Sequence, residues 1–247
     1  MDNSMMIALQ TQRVLQERMD TTANNLANAS TTGFKSDKLL FSELVENPAS
    51  SQDQPQDVRF VADAGSLHDM SQGPIATTGS AFDVAISGDG FFLVQGPDGA
   101  PAYTRNGAFT LGADGTLQTQ SGRPVLSAGG ATIAFDPQGG VPTIGTDGTI
   151  RIEGAEAGTI GVVKFADPGA MVKIGDNLYS SGGQASQPIT DGEARVVQFA
   201  LEGSNVKPVQ EITNLIQISR AYESAAQMVK NADDLRKQAV ATMGRAA

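Results

Sequence analysis

The sequence predicts an α+β protein. Long N- and C-terminal helices pair as a coiled-coil-like domain, and an antiparallel all-β domain is inserted between them. Three observations carry this. Apolar residues near the N-terminus recur in alternating steps of three and four, from Met5 through Leu15 and Met19 to Leu26. The same spacing returns near the C-terminus, from Leu215 and Ile218 through Tyr222 to Val229. Between them the period changes to two, with short apolar runs separated by Asp-Gly and Asn-Gly.

Bulk composition narrows the function. Aromatic residues make up 5% of the chain and Trp is absent, a lean supply for aromatic-lined small-molecule pockets. There is no cysteine, which excludes disulfides, thiol nucleophiles and cysteine-ligated zinc. The net charge of −10 is unevenly placed. Residues 36–205 hold 8 of the 17 basic and 20 of the 27 acidic groups, a balance of −12. Such a body repels phosphate backbones, so no nucleic-acid partner is expected. No apolar stretch is long enough for membrane insertion, and Asp2, Gln10, Gln12 and Arg13 interrupt any secretory leader. Export without a cleaved signal peptide is therefore the expectation.

The first helix is expected from about Ser4 to Asn28, about 35 Å if fully formed. Its seam contains Gln12 and Thr22, so alone it is marginal in water and needs a partner. Asn24, Asn25 and Asn28 sit on the last turns, where their amides compete with the backbone for hydrogen bonds. They read either as helix-end caps or as amides bridging to a partner helix or a neighbouring subunit. Gly33, free to adopt positive φ, then stops the helix.

Residues 36–80 read as an extended connector with local strand or hairpin, including a polar run over residues 47–56 with the composition of a mobile loop. Residues 81–205 read as the β-rich outer domain. Phe82, Val84 and Ile86 alternate with Asp83 and Ala85, and Gly88-Asp89-Gly90 leads into Phe91-Phe92-Leu93-Val94. Further strand-and-turn units follow to Phe199.

Ser204 or Asn205 is the expected N-cap of the last helix, with Pro208 in its first turn. That helix runs to about Met243 without internal Gly or Pro. Its alanine-rich seam suits close multi-helix packing. A C-terminal helix docked on its own β domain fits the pattern as well. The paired reading joins residues 1–35 and 206–247 into one discontinuous helical assembly domain and leaves apolar surface for neighbouring subunits.

Ordered motifs along nearly the whole chain carry a resemblance. They are Ala23-Asn24-Asn25-Leu26-Ala27-Asn28 with Thr32-Gly33-Phe34-Lys35, Gly88-Asp89-Gly90-Phe91-Phe92, Tyr103-Thr104-Arg105-Asn106-Gly107, Gly122-Arg123-Pro124-Val125-Leu126, Leu201-Glu202-Gly203-Ser204-Asn205-Val206 and Ser219-Arg220-Ala221-Tyr222-Glu223. Together they resemble the axial proteins of the bacterial flagellum, and its basal-body rod proteins in particular. The start Met1-Asp2-Asn3-Ser4 leans toward the proximal rather than the distal rod members.

The resemblance implies a structural, self-assembling subunit of the flagellar rod, with no enzymatic activity and no cofactor. Its partners are other copies of itself, other rod subunits and the flagellar type III export apparatus. Its location is the periplasm-spanning rod of the basal body. The paired terminal helices would build an inner tube, with the β domain outside. Leu15, Met19, Asn24, Asn25, Leu26, Asn28, Leu215, Ile218, Tyr222 and Val229 are the candidate assembly interface. Thr32, Gly33, Phe34 and Lys35 form the family-motif turn.

Catalytic readings are thin. His68 is the single histidine, expected at the surface, so no histidine-based triad or metal pair can be built. Asp89, Asp98, Asp114, Asp147 and Asp191 each precede Gly and read as turn residues, since no calcium-loop spacing accompanies them. A glycan-acting β-domain enzyme, an adhesin or binding module, and a distal-rod or hook-type axial protein remain the rival readings.

Overall fold

The computed structural model describes residues 3–46, 58–136, 139–189 and 194–243. These form two helices and several antiparallel sheets, an α+β architecture. The chain divides into two compact units. One comprises Met1–Ala27, Asp37–Leu67 and Lys207–Ala247; the other comprises Asn28–Ser36 and His68–Val206. Residues 28–35, grouped with the terminal helices on sequence grounds, thus belong with the β-rich unit.

In the first unit, α1 (Asn3–Ala27) and α2 (Pro208–Met243) accompany a two-stranded sheet of β1 (Asp37–Glu46) and β2 (Val58–His68). Leu15 of α1 shares a buried cluster with Ile218 and Ala225 of α2, and Met19 and Tyr222 pack against it. All five lie on the seams expected from the sequence, because steps of three and four return to one helix face. On the outer face, Arg13 pairs with Glu17 at 3.1 Å and Gln16 donates to Asp20 at 3.1 Å, both one helical turn apart. The expected connector holds two long strands, and its polar run over residues 47–56 lies outside the described residues.

The start of α2 corrects the expected N-cap. Pro208 is its first residue, and the Lys207 carbonyl accepts the Gln210 and Glu211 amides at 3.0 and 3.1 Å. Ser204 Oγ instead accepts the Val206 amide at 3.2 Å, and the Asn205 side chain is engaged elsewhere.

In the β-rich unit, β3 (Ile75–Thr77) pairs with β17 (Ala200–Glu202), and β4 (Val84–Gly88) with β16 (Ala194–Gln198). A six-stranded sheet runs in the order β13 (Val172–Gly175), β14 (Leu178–Ser180), β6 (Pro101–Thr104), β5 (Phe91–Gln95), β12 (Val162–Lys164), β15 (Gln187–Pro188). A three-stranded sheet joins β11 (Ala155–Thr159), β10 (Thr149–Ile152) and β9 (Thr143–Ile144), and β7 (Phe109–Leu111) pairs with β8 (Leu117–Thr119).

The run Phe91-Phe92-Leu93-Val94 shows why β5 lacks a polar face. Successive side chains point to opposite sides of a strand, and both sides of β5 are covered. Phe92 and Val94 enter one core with Val84, Ile86 and Phe109; Phe91 and Leu93 enter another with Tyr103, Phe165 and Tyr179. Edge-to-face ring pairs knit each core, Phe92–Phe109 at 5.2 Å and Tyr103–Phe165 at 4.7 Å between centroids.

The Asp-Gly pairs behave as turn chemistry. Asp114 accepts the Thr116 amide at 3.1 Å and its hydroxyl at 2.9 Å, and Asp147 accepts the same two groups of Thr149 at 3.0 and 2.7 Å. These bonds hold both carboxyls below the ordinary value of 3.8, led by the Thr116 amide at Asp114 and the Thr149 hydroxyl at Asp147. Asp191 lies outside the described residues. Among the described residues no helix is long and apolar enough to cross a membrane.

Candidate functional site

The motif turn does not end in solvent. Residues 31–36 are stitched into the β-rich unit by backbone and side-chain hydrogen bonds. Gly33 takes φ +67°, and its amide donates to the Glu202 carbonyl at 2.7 Å. A Cβ at Gly33 would lie 2.5 Å from both the Arg105 carbonyl carbon and the Asn106 nitrogen. Glycine is required here twice over, for its conformation and for the close approach of two backbones.

Two side chains reach in to hold the turn. Asp176 and Asn177 both have positive φ and form the tight two-residue connection between β13 and β14. From there Asn177 Nδ2 donates to the Thr32 carbonyl at 2.8 Å. Lys173 Nζ donates to the Lys35 carbonyl at 3.0 Å and sits 4.4 Å from the Phe34 ring centroid, a cation–π contact on a buried ring. Asn205 closes the segment: its Oδ1 accepts the Ser36 amide at 2.9 Å, and its Nδ2 donates to the Asp69 carbonyl at 2.7 Å.

At the centre lies a buried ion cluster. Lys35 and Glu202 have no exposed surface, and Arg105 is 2% exposed. Lys35 Nζ donates to Glu202 Oε1 and to the Ser71 carbonyl, both at 2.6 Å. Arg105 Nη1 donates to Glu202 Oε2 at 3.2 Å and its Nη2 to the Gly88 carbonyl at 2.9 Å. The Gly73 amide adds a donor to Glu202 Oε1 at 2.9 Å. Burial lowers the affinity of Lys35 and of Arg105 for their protons, and the Glu202 charge only partly offsets it. One carboxylate serves two cations. Its loss would strand both, which is why breaking such a cluster costs far more than its net worth.

The three stretches Thr32–Lys35, Tyr103–Gly107 and Leu201–Val206 therefore meet at one point. Each was legible as a motif, but Arg105, Glu202, Asn205 and Lys173 were not singled out as site residues. The available signal was a charge or amide embedded in a turn motif, as in Tyr-Thr-Arg-Asn-Gly and Leu-Glu-Gly-Ser-Asn.

Of the candidate interface residues, Leu15 and Ile218 are buried in the helical unit, and Met19, Leu26, Leu215, Tyr222 and Val229 are half-buried there. Asn25 is used within the chain: its Nδ2 donates to the Asp37 carbonyl and its Oδ1 accepts the Asp37 amide, both at 2.9 Å. This amide therefore clamps the strand that follows, and neither caps its own helix nor reaches α2. Asn28 Oδ1 accepts the Thr31 hydroxyl at 3.1 Å, a local turn contact, and Asn24 is exposed. His68, expected at the surface, is buried edge-on to Tyr179 at 5.8 Å. Among the described residues no group of three or more metal-ligating side chains converges.

Comparison with known proteins covers the same stretches. Family models match residues 5–35 (flagella basal body rod protein), 85–152 (flagellar hook protein FlgE/F/G D1 domain) and 197–242 (flagellar basal body rod FlgEFG protein C-terminal). The chain is 44% identical to the flagellar basal-body rod protein FlgF of Caulobacter vibrioides and 35% identical to FlgF of Mesorhizobium japonicum, in each case over 99% of both chains. It is 31% identical to the flagellar basal-body rod protein FlgG of Bacillus subtilis, over 91% of this chain and 93% of that one. With its motif turn, its β body and both terminal helices all matched, the chain belongs to the flagellar basal-body rod protein family.

Proposed function

We infer that this chain is a structural subunit of the flagellar rod, polymerising helically through its terminal helices into the hollow shaft that transmits torque. The carrying observation is the similarity to FlgF proteins over 99% of both chains. The relatives are rod proteins rather than enzymes, which supports a non-enzymatic role.

The helices act as a coiled-coil-like assembly domain into which the β domain is inserted. Val209, Ile212, Ile216, Met228 and Leu235 of α2, with Ile7 and Leu9 of α1, are exposed apolar residues that support further helix packing in an assembly. The partners are further copies, other rod subunits and the flagellar type III export apparatus. The similarity to FlgG proteins favours one second reading, a distal-rod position for the same kind of subunit.

Leu26→Lys or Leu215→Lys tests the helix seam. Each puts a charge into the half-buried apolar seam, and rod assembly followed by electron microscopy should be lost while the β unit keeps its near-ultraviolet circular dichroism. Normal incorporation of either variant into rods would refute the reading.

A further inference from the structure

Three loops of the β-rich unit share one backbone. Each starts with glycine and ends in Asp-Gly: Gly96-Pro97-Asp98-Gly99, Gly112-Ala113-Asp114-Gly115 and Gly145-Thr146-Asp147-Gly148. The last glycine takes a left-handed φ, +77°, +80° and +83° in turn, and its amide donates to the first glycine's carbonyl at 3.0–3.1 Å. The first glycine's amide donates to the carbonyl of the residue after the loop, Ala100, Thr116 or Thr149, at 2.7–2.8 Å.

The residue after the loop is where the three part. Thr116 and Thr149 hold the preceding carboxylate by amide and hydroxyl, and a Cβ on Gly112 or Gly145 would lie 2.6 Å from the held Oδ1. Ala100 has no hydroxyl to offer. The Asp98 carboxylate has no hydrogen bond or ion pair among the described residues, and the atoms nearest a Cβ on Gly96 belong to Ala100 and Ala102. Burial separates the loops again. Gly115 and Gly148 are buried, as are Gly90 and Gly107 after Asp89 and Asn106, whereas Gly99 is exposed. Among the described Asp-Gly and Asn-Gly pairs, Asp98-Gly99 alone has an exposed glycine.

We propose that Asp98 is a modification site, isomerising without an enzyme to isoaspartate, and that the fold protects Asp114 and Asp147 from the same reaction. A backbone amide can attack the carboxyl of the residue before it, and glycine, with no Cβ, obstructs that attack least. The Gly99 nitrogen bonds to Asp98 Cγ, the Cγ–OH bond breaks, and water leaves with the amide proton. Water then opens the cyclic imide. Attack at Cγ restores aspartate; attack at the main-chain carbonyl carbon breaks its bond to nitrogen, so the chain runs on through Cβ and Cγ. The water consumed replaces the water released, and no oxidant or other reactant is needed.

Protection has two causes. The threonine bonds favour the ionised carboxylate, whereas the imide forms from the neutral acid. A buried glycine amide reaches the carboxyl only when the packing around it opens, which is harder than fraying an exposed hairpin tip. The ladder of β5 and β6 begins at Gln95 and Pro101, outside the loop, so the lengthened backbone leaves the sheet paired. The proposal is independent of the rod reading.

The test ages the full-length chain in neutral buffer at physiological temperature. It is then digested with endoproteinase Asp-N, which cuts before aspartate but not before isoaspartate. Missed cleavage at Asp98, at unchanged peptide mass, should build up about tenfold or more faster than at Asp114 or Asp147. In concentrated urea the three sites should converge, because the fold is what distinguishes them. Ala100→Thr copies the residue that follows the other two loops. It should slow Asp98 several-fold in the folded chain and leave its rate in urea unchanged.

Equal accumulation at the three sites of the folded chain would overturn the proposal. So would a preference for Asp98 that persists in urea, or a folded chain that forms none at Asp98 while the urea-treated chain forms it at all three. Ala100→Thr that ages at Asp98 as fast as the wild type would overturn the carboxylate bonds as the protecting feature.

Discussion

The two units of this chain are finished to different degrees. The β-rich unit closes on itself: it holds two buried hydrophobic cores, and even a lysine, an arginine and a glutamate are taken out of water and paired. The helical unit buries few apolar side chains among its described residues, namely Leu15, Ile218 and Ala225, and leaves Val209 78%, Leu235 66% and Met228 61% exposed. Apolar area left in water is stabilisation not yet realised. The contrast is one of closure: one unit covers its apolar side chains with its own strands, while the other leaves several on its helices in water.

The sharpest break in that contrast is expected from Glu202→Gln. It removes the carboxylate that both Lys35 and Arg105 contact, and should cost about 3–5 kcal/mol of urea-measured stability in the β-rich unit. Lys35→Met should cost less, because Glu202 keeps Arg105 and the Gly73 amide. Equal losses from the two would show that the cluster is not organised around the carboxylate.

Gly33→Ala comes next. It forces a Cβ against the Arg105–Asn106 backbone at a left-handed φ, and about 1–3 kcal/mol is the expected loss. Wild-type stability in this variant would mean that the turn is not anchored as described.

Asn25→Ala probes the other unit. It strips the Asp37 amide and carbonyl of their partners, for about 1–3 kcal/mol. Hydrogen exchange should show faster exchange at the Asp37 amide, while the Leu93 and Val94 amides of β5 stay protected.

The smallest effect is electrostatic. Asp114 and Asp147 have folded-state pKa values below 3.8. Their contribution is present above 3.8 and is lost as pH falls through the lower folded values. Asp147→Asn should therefore lower stability slightly at neutral pH and leave the acid end little changed, which flattens the acid limb of the profile. An acid limb identical to the wild type would remove Asp147 from that account.

Local pattern made the helices and hairpins legible. The seam through Leu15, Met19 and Leu26 and the one through Ile218, Tyr222 and Ala225 follow from a period that each residue reports by itself. The Asp-Gly turns are legible for the same reason, since Asp114 and Asp147 bond only two residues ahead. What stayed hidden depends on distance along the chain. Lys35 and Glu202 are 167 positions apart, and no periodicity records that they meet. His68 reads as a surface residue on residue type alone, and only the Tyr179 ring beside it shows otherwise. Asn205 reads as a helix cap by type and position, yet its amide is spent on Ser36 and Asp69.

The ion cluster also decides where the chain can be cut to test the central claim, that the terminal helices are the assembly devices. Removing residues 1–35 would take Lys35 with it and damage the β-rich unit, so the cut belongs after residue 27, leaving residues 28–206. Sedimentation with negative-stain imaging should then compare this trimmed chain with the full-length one. The account predicts that the full-length chain self-associates, alone or with other rod subunits, while the trimmed chain stays a folded monomer. If both remain monomeric in every mixture, or if the trimmed chain assembles as well as the full one, the helices are not the assembly devices.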